Sequence, residues 1–134
     1  MPLLRDETLP VRSDQDVVIV RQTVRAWAVD LTFGLVDQTK IVTAASELAR
    51  NILVHGGGGV VRLEAFNDGP RKGLKLTFED HGPGIADIEL AMKDGYTTGS
   101  GLGLGLSGAK RLSNAFDIRS KPGEGTTVTI TRWK

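Results

Sequence analysis

The sequence predicts an α+β two-layer sandwich, in which one mixed sheet carries its helices on a single face. Apolar residues first recur every three or four positions, then alternate, then return to helical spacing ahead of two final alternating runs. Helices and strands thus come in blocks, the pattern of segregated α and β layers. No repeat or low-complexity linker interrupts the pattern, so residues 1–134 read as one domain.

Residues Leu9 to Ser13 read as a short first strand. From about Asp16, Val17, Val20, Val24, Trp27 and Leu31 form one apolar helical face, with Trp27 expected in the core. Gly34 stands where a helix C-cap glycine is expected. A second helix is expected from Asp37 as N-cap, with Ile41, Ala44, Ala45, Leu48 and Ile52 as its buried stripe. It ends in Gly56 to Gly59, because consecutive glycines do not sustain a helix. Val61, Leu63 and Ala65 alternate with polar partners, as do Leu74, Leu76 and Phe78, and Asn67 to Gly73 is the turn between these strands. After Glu79 to Ile85 ("EDHGPGI") a short helix is expected around Asp87 to Lys93. A Gly/Ser/Thr-rich stretch, Asp94 to Gly105, then leads into a helix at about Leu104 to Ala115. A strand at Phe116 to Ser120, a "KPGEG" turn and a strand from Thr126 to Arg132 close the chain. Trp133 is expected to cap the sheet edge or to face a partner.

Composition excludes several classes. The 134 residues are 40% hydrophobic and 25% charged, which is ordinary globular usage and not that of a disordered or collagen-like chain. Without cysteine there is no disulfide framework, thiol nucleophile or zinc finger. His55 and His81 read as a helix-end and a loop histidine without metal-ligand company. No apolar run approaches the ~20 residues of a membrane span. Met1 to Asp16 carries Asp6, Glu7, Asp14 and Asp16 and no signal-peptide core, so a cytoplasmic protein without membrane contact is expected. A net charge of +1 gives no electrostatic case for nucleic acid. The 17 glycines are the anomaly, and eight of them fall between Gly82 and Gly108.

Four segments could carry chemistry. In "SELARN" (Ser46 to Asn51), Glu47 and Asn51 are four residues apart and project from one helix face. A carboxylate and an amide so placed could orient a nucleophile and hold a hard cation, although the same spacing is ordinary on a solvated face. In "DHGPGI", Asp80 ends a strand where it could cap a turn. Equally, Gly82 and Gly84 open the backbone to a flat ligand whose amino group Asp80 would accept. In "TTGSGLGLGLSGAKRL" (Thr97 to Leu112), Gly99, Gly101, Gly103 and Gly105 lead directly into a helix, and exposed amides at a helix N-terminus favour phosphate. A flexible loop is the competing reading; neither a Walker A loop nor a dinucleotide fingerprint fits. "GEGTTV" (Gly123 to Val128) by itself says only turn and strand.

Taken in order, these segments resemble the GHKL ATPase superfamily: "ELARN" its N box, "DHGPGI" its G1 box, "GSGLGLGL" its G2 box and "GEGTTV" its closing G-T segment. The resemblance implies the Bergerat ATP-binding fold and use of ATP with Mg²⁺. Beyond the boxes, "GLVDQTKIVTAASELARNI", "KGLKLTFEDHGPGI", "MKDGYTTGSGLGLGLSGAKRL" and the terminal "TRWK" are similar to the stressosome switch serine/threonine kinases of bacterial stress signalling. It implies phosphorylation of STAS-domain antagonist proteins, then release and activation of a PP2C-type phosphatase, with a homodimer possible.

Carried over by position, Glu47 would be the general base and Asn51 the Mg²⁺ ligand. Asp80 would receive the adenine amino hydrogen, with Gly82, Gly84 and Ile85 around the ring and Thr126 supporting the contact through its hydroxyl. Thr98, Gly99, Ser100, Gly101, Leu102, Gly103, Leu104 and Gly105 would line the nucleotide, with Gly101, Gly103 and Gly105 offering amides to phosphate. One departure stands out: no Lys or Arg occurs between Lys93 and Lys110, where many relatives place a lid cation. Charge on the γ-phosphate would then rest on Mg²⁺, amides and Arg50, Lys110 or Arg111. Arg50 is also atypical for histidine kinases. Alternatives are an anti-sigma factor kinase that sequesters a sigma subunit and a nucleotide-dependent binding module without transfer. A histidine kinase is not expected without a phosphoacceptor helix domain, nor a gyrase-type ATPase without a transducer domain.

Overall fold

A computed structural model describes residues 3–69, 71–85, 92 and 102–134. The elements run β1 (Leu3–Val11), α1 (Asp14–Asp30), α2 (Leu35–Gly56), β2 (Gly59–Asp68), β3 (Arg71–Asp80), α3 (Leu102–Arg111), β4 (Ala115–Lys121) and β5 (Gly125–Trp133). The helix expected at Asp87 to Lys93 and the stretch from Asp94 to Gly101 lie outside the described residues.

Among the described residues five strands form one sheet in the order β1-β2-β3-β5-β4, and every pairing is antiparallel. The sheet is therefore not mixed. β3 and β4 run in the same direction, but β5 lies between them and pairs antiparallel with each. β2–β3 and β4–β5 are hairpins, whereas β1 pairs with β2 across the intervening α1 and α2.

Several boundaries move for identifiable reasons. β1 begins at Leu3 and pairs with β2 from Leu3↔Phe66 to Val11↔Gly59. Most of it is exposed at the sheet edge, so backbone pairing holds it and no hydrophobic alternation announces it. Ser13 is not in the strand: its Oγ accepts from the Asp16 N–H at 3.2 Å and caps α1. The end of α1 is turned by Thr32 at φ 64°, while Gly34, at φ −67° and ψ 163°, is the N-cap of α2 and not the C-cap of α1. Asp37 lies inside the first turn of α2, where its carboxylate favours the positive helix end. The turn expected over Asn67 to Gly73 contracts, because Asn67↔Lys72 and Asp68↔Arg71 continue the ladder. α3 stops at Arg111, after which Asn114 donates its N–H to the Thr131 carbonyl (2.9 Å) and Ala115 already pairs with Thr131.

The core lies between one sheet face and the helices. Val20, Val24 and Trp27 of α1 and Ile41, Ala44, Ala45, Leu48 and Ile52 of α2 are buried with Val61, Leu63, Ala65, Leu74, Leu76, Phe78, Val128 and Ile130. α2 is the central helix, in contact with α1, α3 and the sheet. Arg132 closes the far end: Nη2 meets Asp37 Oδ1 of α2, and Nη1 donates to the Leu112 carbonyl at the end of α3 (2.6 and 2.9 Å). Trp133 covers the side-chain-free Gly73 of the neighbouring strand, with Arg71 stacked on its ring at 4.6 Å.

Candidate functional site

At the opposite end of α2 from Arg132, one pocket is lined by Leu48, Asn51, Ile52 and His55 of α2, Phe78 and Asp80 of β3, and Gly84, Ile85, Leu106, Thr126 and Val128. The apolar walls are continuations of the core stripes. Helical spacing puts Leu48 and Ile52 one turn apart on α2, and strand alternation puts Phe78 and Asp80 on the same sheet face. Asp80 is thus the position at which the buried alternation of β3 turns from apolar to charged.

Asp80 is only 9% exposed, so its carboxylate needs partners. Oδ1 accepts from the Gly82 N–H at 2.9 Å, which leaves Oδ2 for a donor in the pocket. Space for this carboxylate comes from glycine. A Cβ on Gly56 would overlap the Asp80 side chain, and a Cβ on Gly82 would press into the Gly56 backbone. The glycine run after α2 therefore has separable roles. Gly56 makes room for Asp80, and Gly57 takes the left-handed C-cap at φ 73°. Gly59 lets β2 lie against the Glu79 carbonyl and Ile52.

Ser120, which the sequence did not single out, ties the site together. Its Oγ accepts from the Ile85 N–H (2.7 Å), donates to the Gly125 carbonyl (3.0 Å) and lies 2.8 Å from Thr126 Oγ1. Thr126 is in turn opposite Asp80 in the β3–β5 register and opposite Ser120 in β4–β5. The Gly123 N–H donates to the Pro83 carbonyl at 2.7 Å, so the loop after β3 is laced to the β4–β5 hairpin. Gly84, at φ 75°, can lie there only without a side chain, because a Cβ would strike the Lys121 carbonyl. The available signal for Ser120 was its place across the "KPGEG" turn from Thr126.

The structure brings Asn51, Asp80, Gly84, Ile85 and Thr126 together, with Gly82 beneath Asp80. Asn51 is half-buried, and among the described residues its Nδ2 is buried without a partner, an unmet polar group at the wall of the pocket. Glu47 does not line the pocket; it is exposed one turn earlier on α2. Leu102, Gly103, Leu104 and Gly105 form the first turn of α3, whose leading N–H groups have no partner within the helix. Thr98, Gly99, Ser100 and Gly101 lie outside the described residues. Lys110 and Arg111 stand at the other end of α3, about 12 Å along it from Leu102, and Arg50 is exposed on α2 next to Asn51. His55 is the helix-end residue expected and also lines the pocket, whereas His81 is exposed, its Nε2 3.4 Å from Glu79.

Residues 36–134 match the family described as histidine kinase-, DNA gyrase B-, and HSP90-like ATPase. The chain belongs to that family. It is 47% identical over 123 residues to the serine/threonine-protein kinase RsbT of Bacillus subtilis (strain 168), covering 92% of each chain. It is also 32% identical over 127 residues to the anti-sigma F factor of Thermoanaerobacter sp. (strain X514), covering 89% of this chain and 86% of that one. Among solved structures, the RsbU and RsbW domains of a Mycobacterium tuberculosis protein superpose with a TM-score of 0.62 at 24% identity. That match covers 98% of this chain and 32% of the other, and shows the shared fold. By family and by this similarity the chain is an ATP-using enzyme, a protein serine/threonine kinase. Among the described residues no helix is long and apolar enough to cross a membrane.

Proposed function

We propose that the chain transfers phosphate from Mg-ATP to a serine or threonine of a STAS-domain antagonist in the cytoplasm. Once released, it activates a PP2C-type phosphatase. The observation that carries this reading is the buried Asp80, held on one oxygen by Gly82 at the end of an apolar slot, with Glu47 and Asn51 a turn apart on the helix that walls it. Similarity to a serine/threonine kinase across 92% of the chain supports the reaction type.

In this reading the adenine ring lies between the α2 wall of Leu48 and Ile52 and the sheet wall of Phe78 and Val128. Asp80 selects adenine by accepting its amino hydrogen, and Ser120 and Thr126 hold the strand opposite in register. Gly82, Gly84 and Ile85 edge the ring. Toward phosphate, the N-terminal end of α3 offers N–H donors, and by the family resemblance the amides of Gly101, Gly103 and Gly105 would join it, with Thr98, Gly99, Ser100, Leu102 and Leu104 also contacting the nucleotide. Asn51 would hold Mg²⁺, which would supply neutralisation of the phosphate charge. One amide donor suits a cation that commonly takes only one or two protein ligands and the rest from phosphate and water.

Glu47, exposed beside Asn51, takes the proton of the substrate hydroxyl as it attacks the γ-phosphorus, while the bond from that phosphorus to the bridging oxygen breaks and ADP leaves. Its exposure suits a base that must meet the hydroxyl of another protein. A Glu47→Ala variant should lose about 100-fold or more in transfer rate while binding ATP normally, the size expected for one general base. The test is labelled-phosphate transfer to a purified STAS-domain protein beside an ATP titration with and without Mg²⁺. Absence of phosphoserine or phosphothreonine on the STAS protein would sink the reading. Unchanged partner control by Glu47→Ala would instead favour a nucleotide-sensing module without transfer. The anti-sigma F similarity supports the second reading, in which a sigma subunit is also bound. Co-purification with a sigma subunit in an ATP-dependent manner would favour it.

A further inference from the structure

The helix that carries Glu47 has an outer face with an unusual composition. At about 100° per residue, Val36, Lys40, Thr43, Glu47, Arg50 and Val54 fall within roughly 40° of one line along α2. Val36 is 67% exposed and Val54 58% exposed, at the two ends of this line, while Thr43, Glu47 and Arg50 between them are also exposed. A single exposed apolar residue needs no explanation, and the outer face of an amphipathic helix is normally polar. Here both exposed valines are aligned with the proposed base.

Charge and continuity point the same way. Lys40 and Arg50 flank Glu47, and among the described residues none of the three is held in an ion pair. Moving about 40° around the helix from Glu47 reaches Asn51, the first residue of the pocket wall. The outer line and the pocket are therefore adjacent flanks of one helix, with Glu47 on the boundary.

From this we infer that the Val36–Val54 line of α2 is the surface on which the protein substrate docks. The inference rests on the kinase reading above and says where the substrate sits. The occupant is a protein segment that presents its hydroxyl to Glu47, apolar side chains to Val36 and Val54, and an acidic side chain to Lys40 or Arg50. The line is about 27 Å long and one helix wide, on the order of 300 Å², against the ~800 Å² per partner of a stable interface. Contact of that size positions a hydroxyl without retaining the phosphorylated product.

The experiment uses the full chain, labelled ATP and a purified STAS-domain protein, with Val36→Arg and Val54→Arg as test variants and Val29→Arg on α1 as control. Val29 is 52% exposed and lies off this line. Both test variants should raise KM for the STAS protein tenfold or more, with KM for ATP and the melting temperature unchanged. The control should match the wild type. Wild-type KM in both test variants overturns the docking surface and leaves the kinase reading intact. An equal rise in the control overturns it as well. A change of oligomeric state in sedimentation for the two test variants assigns the face to a second copy and overturns it too. If the wild type transfers nothing to the STAS protein, the kinase reading fails and this proposal falls with it.

Discussion

A methyl group at Gly56 would land on the Asp80 carboxylate, and one at Gly82 would land on the Gly56 backbone, so three residues from different segments share one space. Gly56→Ala should therefore do two things. Displacing a buried carboxylate in a filled site should cost about 1–3 kcal/mol, read by urea unfolding, and ATP affinity should fall with it. A variant of unchanged stability and affinity would show that Asp80 has room to move. The residue scale is also where the sequence was most uneven. Asp80 was legible because "DHGPGI" breaks a strand with a carboxylate and two glycines. Gly56 was legible only as the end of a helix, since the atom it must avoid belongs to a residue 24 positions later.

Two elements depend on single side chains from elsewhere in the chain. Ser120 of β4 satisfies the Ile85 N–H and meets Thr126, so Ser120→Ala should leave a buried donor unpaired. About 1–3 kcal/mol of stability should be lost, together with ATP affinity, because the 82–85 loop loses its tie to the hairpin. Calorimetric melting and an ATP titration measure the two effects, and loss of stability alone would make Ser120 purely structural. At the other end, Arg132 is largely buried between Asp37 and the Leu112 carbonyl. Asp37 is 36% exposed, so solvent discounts the pair, and Arg132→Leu should cost about 1–2 kcal/mol. ATP affinity should stay the same, because the pocket is at the opposite end of α2. Element types are legible in periodicity, whereas most of the edge strand β1 is not, because backbone pairing, not burial, defines most of its length.

For the whole molecule, the pocket is walled by α2, α3 and two strands, β3 and β5, so ATP bound there should stabilise the entire domain. At a hundredfold excess over Kd the gain is about 2.7 kcal/mol, a rise in Tm of roughly 8 °C for a chain of this size. Asp80→Asn should abolish the shift, since an amide can present a donor where the adenine amino group needs an acceptor. A full shift in that variant would exclude Asp80 from adenine recognition. The sequence by itself determined the layers, the buried stripes, the family resemblance and the order of the boxes, because periodicity and motif spacing are local properties of a chain. Tertiary structure alone decided that the sheet is antiparallel throughout, since the insertion of β5 between β3 and β4 is a long-range pairing with no local signature. It also decided what the glycines are for. Eight of the 17 lie between Gly82 and Gly108, but the reason Gly56, Gly82 and Gly84 must lack side chains is backbone and side chains that reach them only after folding.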